Sequence, residues 1–383
     1  MSTLRRFTLL VAALAATAAL APAMAQAAWT PASWTLPSTD SQFAGSSCVS
    51  TTFCVFVGYQ TGSPRGLAYK YNGSTYSSTS LASSTAELYG VGCATTTFCM
   101  AVGTNYAATP NTPYATTYNG TTWSTSTPVT PGSATFTQLN GVSCTSSTFC
   151  AAAGRFQTST ASNGLVETYN GTSWSQASLT PPAGTTGAEL NDISCTASNA
   201  CTAVGYRDSA SPRVPLIYRY NGTSWASQTP AVPSGAQQAE LEGVTCQTST
   251  SCQAVGAYVD SLGVQHALAE SWNGTSWSLK TVADPSGAQD SGLADIACYT
   301  TSTTGCVAVG SYTASGGNSE PEAAGWNGTA WSLQSVSRPT GTSDALLRGV
   351  GCASSTFCRA VGASLYDGSA GITGLRPAID VGP

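Results

Sequence analysis

Seven pairs of cysteines are the residues that first invite a chemical reading: Cys48 and Cys54, Cys93 and Cys99, Cys144 and Cys150, Cys195 and Cys201, Cys246 and Cys252, Cys298 and Cys306, Cys352 and Cys358. Paired thiols can hold zinc, shuttle electrons or close disulfides. Zinc sites bring cysteines two to four residues apart with four ligands converging. Redox sites use C-x-x-C. Here the interval is longer, as in "CTSSTFCAAAG". Cysteines six apart can sit opposite each other on adjacent antiparallel strands, at a separation a disulfide accepts. The longer "CYTTSTTGC" keeps the parity of the strand, so Cys298 and Cys306 can still face each other. The pairs read as hairpin staples, each worth roughly 2.4 kcal/mol in the chain-entropy picture of a short loop.

Few other groups can do chemistry. His266 is the single histidine, so a Ser-His-Asp or Cys-His site has one possible base. With every cysteine paired, no thiol nucleophile remains. Glu87, Gln138, Glu189 and Glu240 each stand just before a recurring leucine, and Asp192 and Asp295 fall slightly further along. Carboxylates gathered at a narrow opening can hold a hard cation such as calcium through oxygen ligands. Glu87, Glu189 and Glu240 are the candidates for such a structural cation. Solvated carboxylates are the simpler reading of them, there is no EF-hand-like loop, and no other cofactor is expected.

The elements that must position these groups are set by the rest of the chain. The 383 residues carry 8% charged side chains and a net charge of −5. That excludes binding driven by phosphate neutralisation, so no nucleic-acid partner is expected. The start, "MSTLRRFTLLVAALAATAALAPAMAQAAW", has a positive end, an apolar run and small residues at Ala23, Ala25 and Ala27. It reads as a bacterial secretory signal over residues 1–27, with an uncleaved anchor as the rival. No other segment is apolar enough to span, so no membrane span is expected after cleavage. An even set of cysteines beyond the leader agrees with an oxidising, extracellular destination.

The first cysteines of successive pairs recur about every fifty residues, which marks a repeat architecture. In the unit over residues 139–179, "LNGVSC", "FCAAAG", "LVETYN" and "SWSQASL" are four short pieces without a helical period. They read as strands, the last two joined at Asn-Gly. Four antiparallel strands per unit, repeated radially, make a β-propeller. The C-terminal unit stops after its third strand, "GLRPAIDVG", and the N-terminal "SWTLPS" around Trp34 matches a fourth. The expectation is one all-β domain over residues 28–383: seven four-stranded blades, with the N-terminal strand completing the last.

Gly154, Tyr169 and Trp174 resemble the strand-end glycine, tyrosine and tryptophan of kelch and galactose-oxidase-like blades. "YNGTSW" is similar to the turn of Asp-box blades of the sialidase type, with Asn in place of Asp. The resemblance implies a propeller. For a sialidase it would further imply three convergent arginines, for which Arg65, Arg155 and Arg207 are the candidates.

In a propeller the cysteine hairpins and Asn-Gly turns share one face, and the variable loops share the other. Variable loops on a rigid scaffold are the usual place for recognition. Ligand-binding candidates there are Arg65, Arg155, Arg207, Asp208, Arg213, Tyr206, Tyr258, Asp260, His266 and Tyr312. The once-per-blade tryptophans read as packing between blades. The function expected is a secreted, monomeric binding protein that meets a glycan, a cell-wall component or a protein. A sialidase-like glycoside hydrolase or lyase and a structural or adhesion module are the alternatives.

Overall fold

The computed structural model describes residues 28–35, 40–62, 65–81, 85–209, 212–298, 305–367 and 373–382. The leader over residues 1–27 lies outside them. Every regular element among the described residues is a β-strand. In the third unit, Phe136–Ser146, Phe149–Gln157, Ser162–Tyr169 and Trp174–Gln176 pair antiparallel in chain order. Five such four-stranded sheets stand alone, and an eight-stranded sheet holds two more units. These are seven blades of a propeller, each with its first strand innermost.

The N-terminal strand joins the last two blades. Ala28–Pro31 pairs antiparallel with Thr373–Val381, completing the seventh blade, and parallel with Trp331–Val336 of the sixth. Ring closure is as expected, but the residue that achieves it is Trp29 rather than Trp34. Thr30 lies opposite Val381, which sets Trp29 against Gly382, where the ring occupies the space a Cβ would take. Elsewhere that position belongs to pairs such as Tyr169 and Trp174. Trp29 is fully buried against Val307, Val309 and Ala323 of the sixth blade. Trp34 instead packs on Phe43, Tyr69 and Tyr76 of the first blade. Two tryptophans five apart both follow a small residue, so local likeness misassigned the strand by that interval.

The recurring tryptophans fill the seams between blades. Trp123 packs with Phe53, Val55 and Ala68 of the preceding blade, and Trp174 with Met100, Val102 and Ala115. Their indole N–H groups donate to Thr79 Oγ1 and Ser126 Oγ of the preceding blade, at 3.0 and 2.8 Å. Rings of this size dominate core energetics, and in these two blades the polar handle is satisfied at the blade edge.

The cysteines pair as the spacing predicts, from Cys48–Cys54 through Cys352–Cys358. Cys144 and Cys150 are direct cross-strand partners, and so are Cys298 and Cys306. The glycine that ends each phrase has a separate cause. Leu139 pairs with Gly154 beside a β-bulge at Asn140. A Cβ on Gly154 would come within 2.0 Å of the Gln138 carbonyl oxygen. Every blade repeats this clash at its own bulge, so every phrase ends in glycine.

The Asn-Gly turns lie against the cysteine hairpins, as Gly171 does against Thr148, so both form one monotonous bottom face. Each is a four-residue loop rather than a two-residue turn: Tyr169 pairs with Trp174 around Asn170–Ser173. Asn170 Oδ1 accepts the N–H groups of Thr172 and Ser173 at 3.0 and 2.9 Å, and the Thr172 hydroxyl at 2.9 Å. That geometry explains the Asn-Gly-Ser/Thr triplet without a glycan: the third residue's hydroxyl caps the asparagine. Asn170→Ala is expected to cost about 1 kcal/mol in a urea melt. An unchanged midpoint would show that the side-chain cap is dispensable.

Candidate functional site at the channel mouth

The seven innermost strands surround a central channel with a cavity of about 300 Å³. Its wall is shaped by the bulges. Each inner strand slips register by one residue after its leucine or phenylalanine, between Leu139 and Gly141 in the third blade and between Leu190 and Asp192 in the fourth. A bulge turns an extra side chain out of the ladder. The seven extra residues are Ala44, Tyr89, Asn140, Asn191, Glu242, Ala294 and Arg348, and all seven line the lumen. At the top they are joined by Tyr59, Gln138 and Glu189.

Side chains on the third to fifth blades form a hydrogen-bonded arc. Gln138 Nε2 donates to Asn140 Oδ1 at 2.6 Å, and Asn140 Nδ2 donates to Glu189 Oε1 at 3.0 Å. Asn191 Nδ2 donates to Glu242 Oε2 at 3.0 Å. Both asparagines also donate to the next blade's backbone, at the Leu190 and Leu241 carbonyls. Burial pushes the Glu242 carboxyl up to about 8, helped by the nearby charges of Glu240 and Glu189.

The expected candidates divide into several groups. Glu189 collects Arg155 at 3.0 Å and the Tyr206 hydroxyl at 2.9 Å. Arg213 lies over the Tyr206 ring at 3.9 Å and bridges Asp208 and Glu240, at 3.1 and 2.9 Å. Arg155, Tyr206, Asp208 and Arg213 therefore form one network beside the mouth. Tyr258, Asp260 and His266 form another in the fifth blade. His266 Nδ1 sits 2.6 Å from Asp284 and Nε2 3.4 Å from Asp260. The Asp284 bond, with Asp260 behind it, raises the imidazole above its ordinary range. Both ring nitrogens are engaged, so His266 clasps the 260–264 loop to the linker of the sixth blade. Tyr312 is half-buried in the sixth blade, within the field of Glu320 and Glu322.

Three expectations change. Arg65 lines a separate groove within the first blade, whereas Arg155 is held at Glu189. Arg207 lies half-buried on the second strand of the fourth blade, next to Arg155's counterpart Tyr206. Arg65 opens a third strand whereas Arg155 and Arg207 lie on second strands, and none of the three lines the channel, so no sialidase-like triad assembles there. Glu87, Glu189 and Glu240 likewise stay apart. Glu87 accepts the Tyr89 hydroxyl at 2.7 Å, and the other two are ion-paired. Among the described residues no group of three or more His, Cys, Asp or Glu is placed to hold a metal ion. Asp192 and Asp295 do reach the channel, but as staples between blades. Asp192 Oδ2 accepts the Val244 N–H at 2.9 Å, and Asp295 Oδ2 accepts the Val350 N–H at 2.7 Å. Burial raises both, Asp192 to about 7. In the other five blades the matching residue is glycine. A Cβ on Gly141 would lie 2.8 Å from the Asp192 Cα, because neighbouring inner strands approach so closely.

Tyr59, Tyr89, Asn140, Asn191, Glu242 and Arg348 were missed by sequence reasoning. A signal exists: the residue after each inner leucine, or after Phe43 in the first blade, changes in chemistry from blade to blade, from alanine to tyrosine, asparagine, glutamate and arginine.

The chain matches no family model, and no curated protein matches it in sequence. Solved propellers match it in shape. "Structure of U3-55K" aligns with a TM-score of 0.58 at 8% identity, over 90% of this chain and 97% of that one. YCF48 from Cyanidioschyzon merolae aligns at 0.50 and 13% identity, over 91% and 98%. The GH74 xyloglucanase from Xanthomonas campestris aligns at 0.51 and 11% identity, over 85% of this chain and 51% of that one. At such identities the likeness shows the β-propeller fold alone. Seven disulfides are consistent with an extracellular protein, and no helix among the described residues is long and apolar enough to cross a membrane.

Proposed function

We propose that this is a secreted binding protein whose ligand, a glycan, is met at the channel mouth and the adjoining top-face loops. One observation carries the reading. The seven bulge residues line a single opening and are chemically diverse, while the opposite face repeats a cysteine hairpin in all seven blades and an Asn-Gly turn in six. A mouth lined by amide, carboxyl, guanidinium and phenol groups suits a ligand rich in hydroxyls, which needs donors and acceptors together. Binding is favoured over hydrolysis because Glu189 and Glu240 are held by arginines, whereas a glycosidase needs two carboxyl groups free to flank a bond.

The test is a glycan array of neutral and acidic sugars, probed with the mature chain and two variants. Tyr89→Ala alters the mouth, and Thr172→Ala alters a bottom turn. The expected result is about tenfold weaker binding for Tyr89→Ala only. Equal loss in both variants, or none in either, would sink the proposal. Turnover of chromogenic glycosides would favour the hydrolytic alternative.

A further inference from the structure

The ring of bulge residues is lopsided. Tyr89, Asn140, Asn191 and Glu242 make a continuous polar arc over the second to fifth blades. The sixth, seventh and first blades contribute Ala294, Arg348 and Ala44. The layer above is apolar in the sixth and seventh blades alone, where Gly292 and Leu346 stand in place of Gln42, Glu87, Gln138, Glu189 and Glu240. Arg348 is thus an exposed guanidinium with an alanine on either side and open lumen in front. No described side chain forms a hydrogen bond or ion pair with it. Its charge is nonetheless felt at Tyr59 of the neighbouring first blade and at Glu242 of the fifth.

The acids around it leave that charge uncompensated. Glu189 is paired with Arg155 and Glu240 with Arg213. Glu242, Asp192 and Asp295 are all held above the ordinary carboxylate range by burial. Raised in this way, they repel an anion less than ordinary carboxylates would. Opposite Arg348 lie Asn140, Asn191 and Glu242. The amide hydrogens of the two asparagines are spent within the arc, and the oxygens of all three remain as acceptors for hydroxyl groups. Tyr59 and Tyr89, packed edge to face at 5.6 Å, offer an aromatic surface at the rim. The cavity, about 300 Å³, is at the small end of ligand sites and has room for one sugar residue.

From this arrangement we infer that the glycan bound at the mouth is acidic: a hexuronate unit with its carboxylate on Arg348 and its hydroxyls on the arc of Asn140, Asn191 and Glu242. The inference rests on the mouth being the ligand site. A planar guanidinium takes a carboxylate through two parallel hydrogen bonds, which gives orientation as well as affinity. A peptide C-terminus also carries a carboxylate. The hydroxyl-matched arc and the aromatic rim favour the sugar.

The experiment is calorimetric titration of the mature chain with oligogalacturonate and oligoglucuronate, with their methyl esters, and with acetyl-Ala-Ala. The esters keep every hydroxyl and mask only the charge. The free acids are expected to bind roughly ten- to a hundredfold more tightly than the esters, the range of a charge-assisted hydrogen bond. Arg348→Met is expected to reduce the acids to the level of the esters with an unchanged melting temperature, since the side chain supports nothing else. Equal affinity for acid and ester, or acid binding that survives Arg348→Met, overturns the inference. So does a preference for the dipeptide, or no binding of any probe. Tyr89→Ala on the neutral sugars of the array separates these failures from failure of the mouth itself. If it still weakens neutral-sugar binding, the site stands and only its acidic preference falls.

Discussion

Thermal unfolding is expected to move down by on the order of 10 °C as the pH is raised from about 4.5 to about 8.5. The cause is a set of carboxyl groups buried within the blades. Glu167 and Glu270 are fully buried, and Glu322 and Asp380 nearly so. Each has one oxygen with no hydrogen-bond partner. The other oxygen of Glu167 accepts the Val129 N–H at 2.7 Å, and that of Glu270 accepts the Ala231 N–H at 2.8 Å, so each pins the linker that leads into its blade. Glu322 accepts the Ser291 hydroxyl at 2.7 Å. Burial pushes Glu167, Glu270 and Asp380 up to about 7, and Glu322 to about 8.

The sign follows from proton uptake. In the unfolded chain these groups release their protons near 4.5 for Glu and 3.8 for Asp. The folded protein holds them to about 7 or 8. Between those limits the folded state binds more protons, so its stability falls as the pH rises. The contribution is whole below about 4.5 and is lost through 7 to 8. A carboxyl moved from 4.5 to about 7 is worth about 3 kcal/mol. His266 acts in the same direction, since its folded-state value is also raised. Asp260, lowered chiefly by the Val264 N–H, acts in the opposite direction, but it is exposed to solvent. Melting curves at closely spaced pH values provide the check. Glu167→Gln and Glu270→Gln keep an acceptor for the linker N–H, and each should flatten the profile. A melting temperature that is level or rises over this range would contradict the account.

Removing the Trp29 ring should be the most damaging single truncation. Trp29→Ala is expected to cost about 3–5 kcal/mol, the range for a large aromatic lost from a core. The ring is completely buried, its indole N–H donates to Gln334 Oε1 at 2.7 Å, and it anchors a strand of only four residues. That strand is also the bond between the two ends of the chain. Without it the outer edge of the seventh blade is unpaired, and the exposed edge invites association. Urea denaturation should therefore show a lower midpoint, and light scattering should show concentration-dependent association. Trp34→Ala removes a half-buried ring from the first blade and should cost less. If Trp34→Ala proved the more damaging of the two, the assignment of the closing strand would be wrong.

What could be read from the residues alone was whatever the repeat writes again and again. A cysteine pair and the glycine after it occur in all seven blades, and an Asn-Gly turn in six. The aromatic after that turn is a tryptophan in all but the first blade, where it is Tyr76. Each has a local cause that acts alike wherever it recurs, so comparing units within one chain exposes it. The blade count, the disulfide pairing, the two-faced layout and the incomplete last unit all followed. Choosing Trp29 over Trp34 did not, because both are local matches and only the seam with the sixth blade distinguishes them.

The mouth was decided by tertiary structure. A strand read with a period of two has no place for the residue that a bulge adds. The bulge puts consecutive side chains such as Asn191 and Asp192 into the same lumen, where strict alternation would send one of them away. Asp192 and Asp295 look like free carboxylates in the sequence. They are staples because the next blade's inner strand presents an N–H within reach. Arg348 has no partner in its own blade, and its setting comes from the alanines of the blades on either side. Such properties belong to the closed ring, since the distances that create them run between blades rather than along the chain.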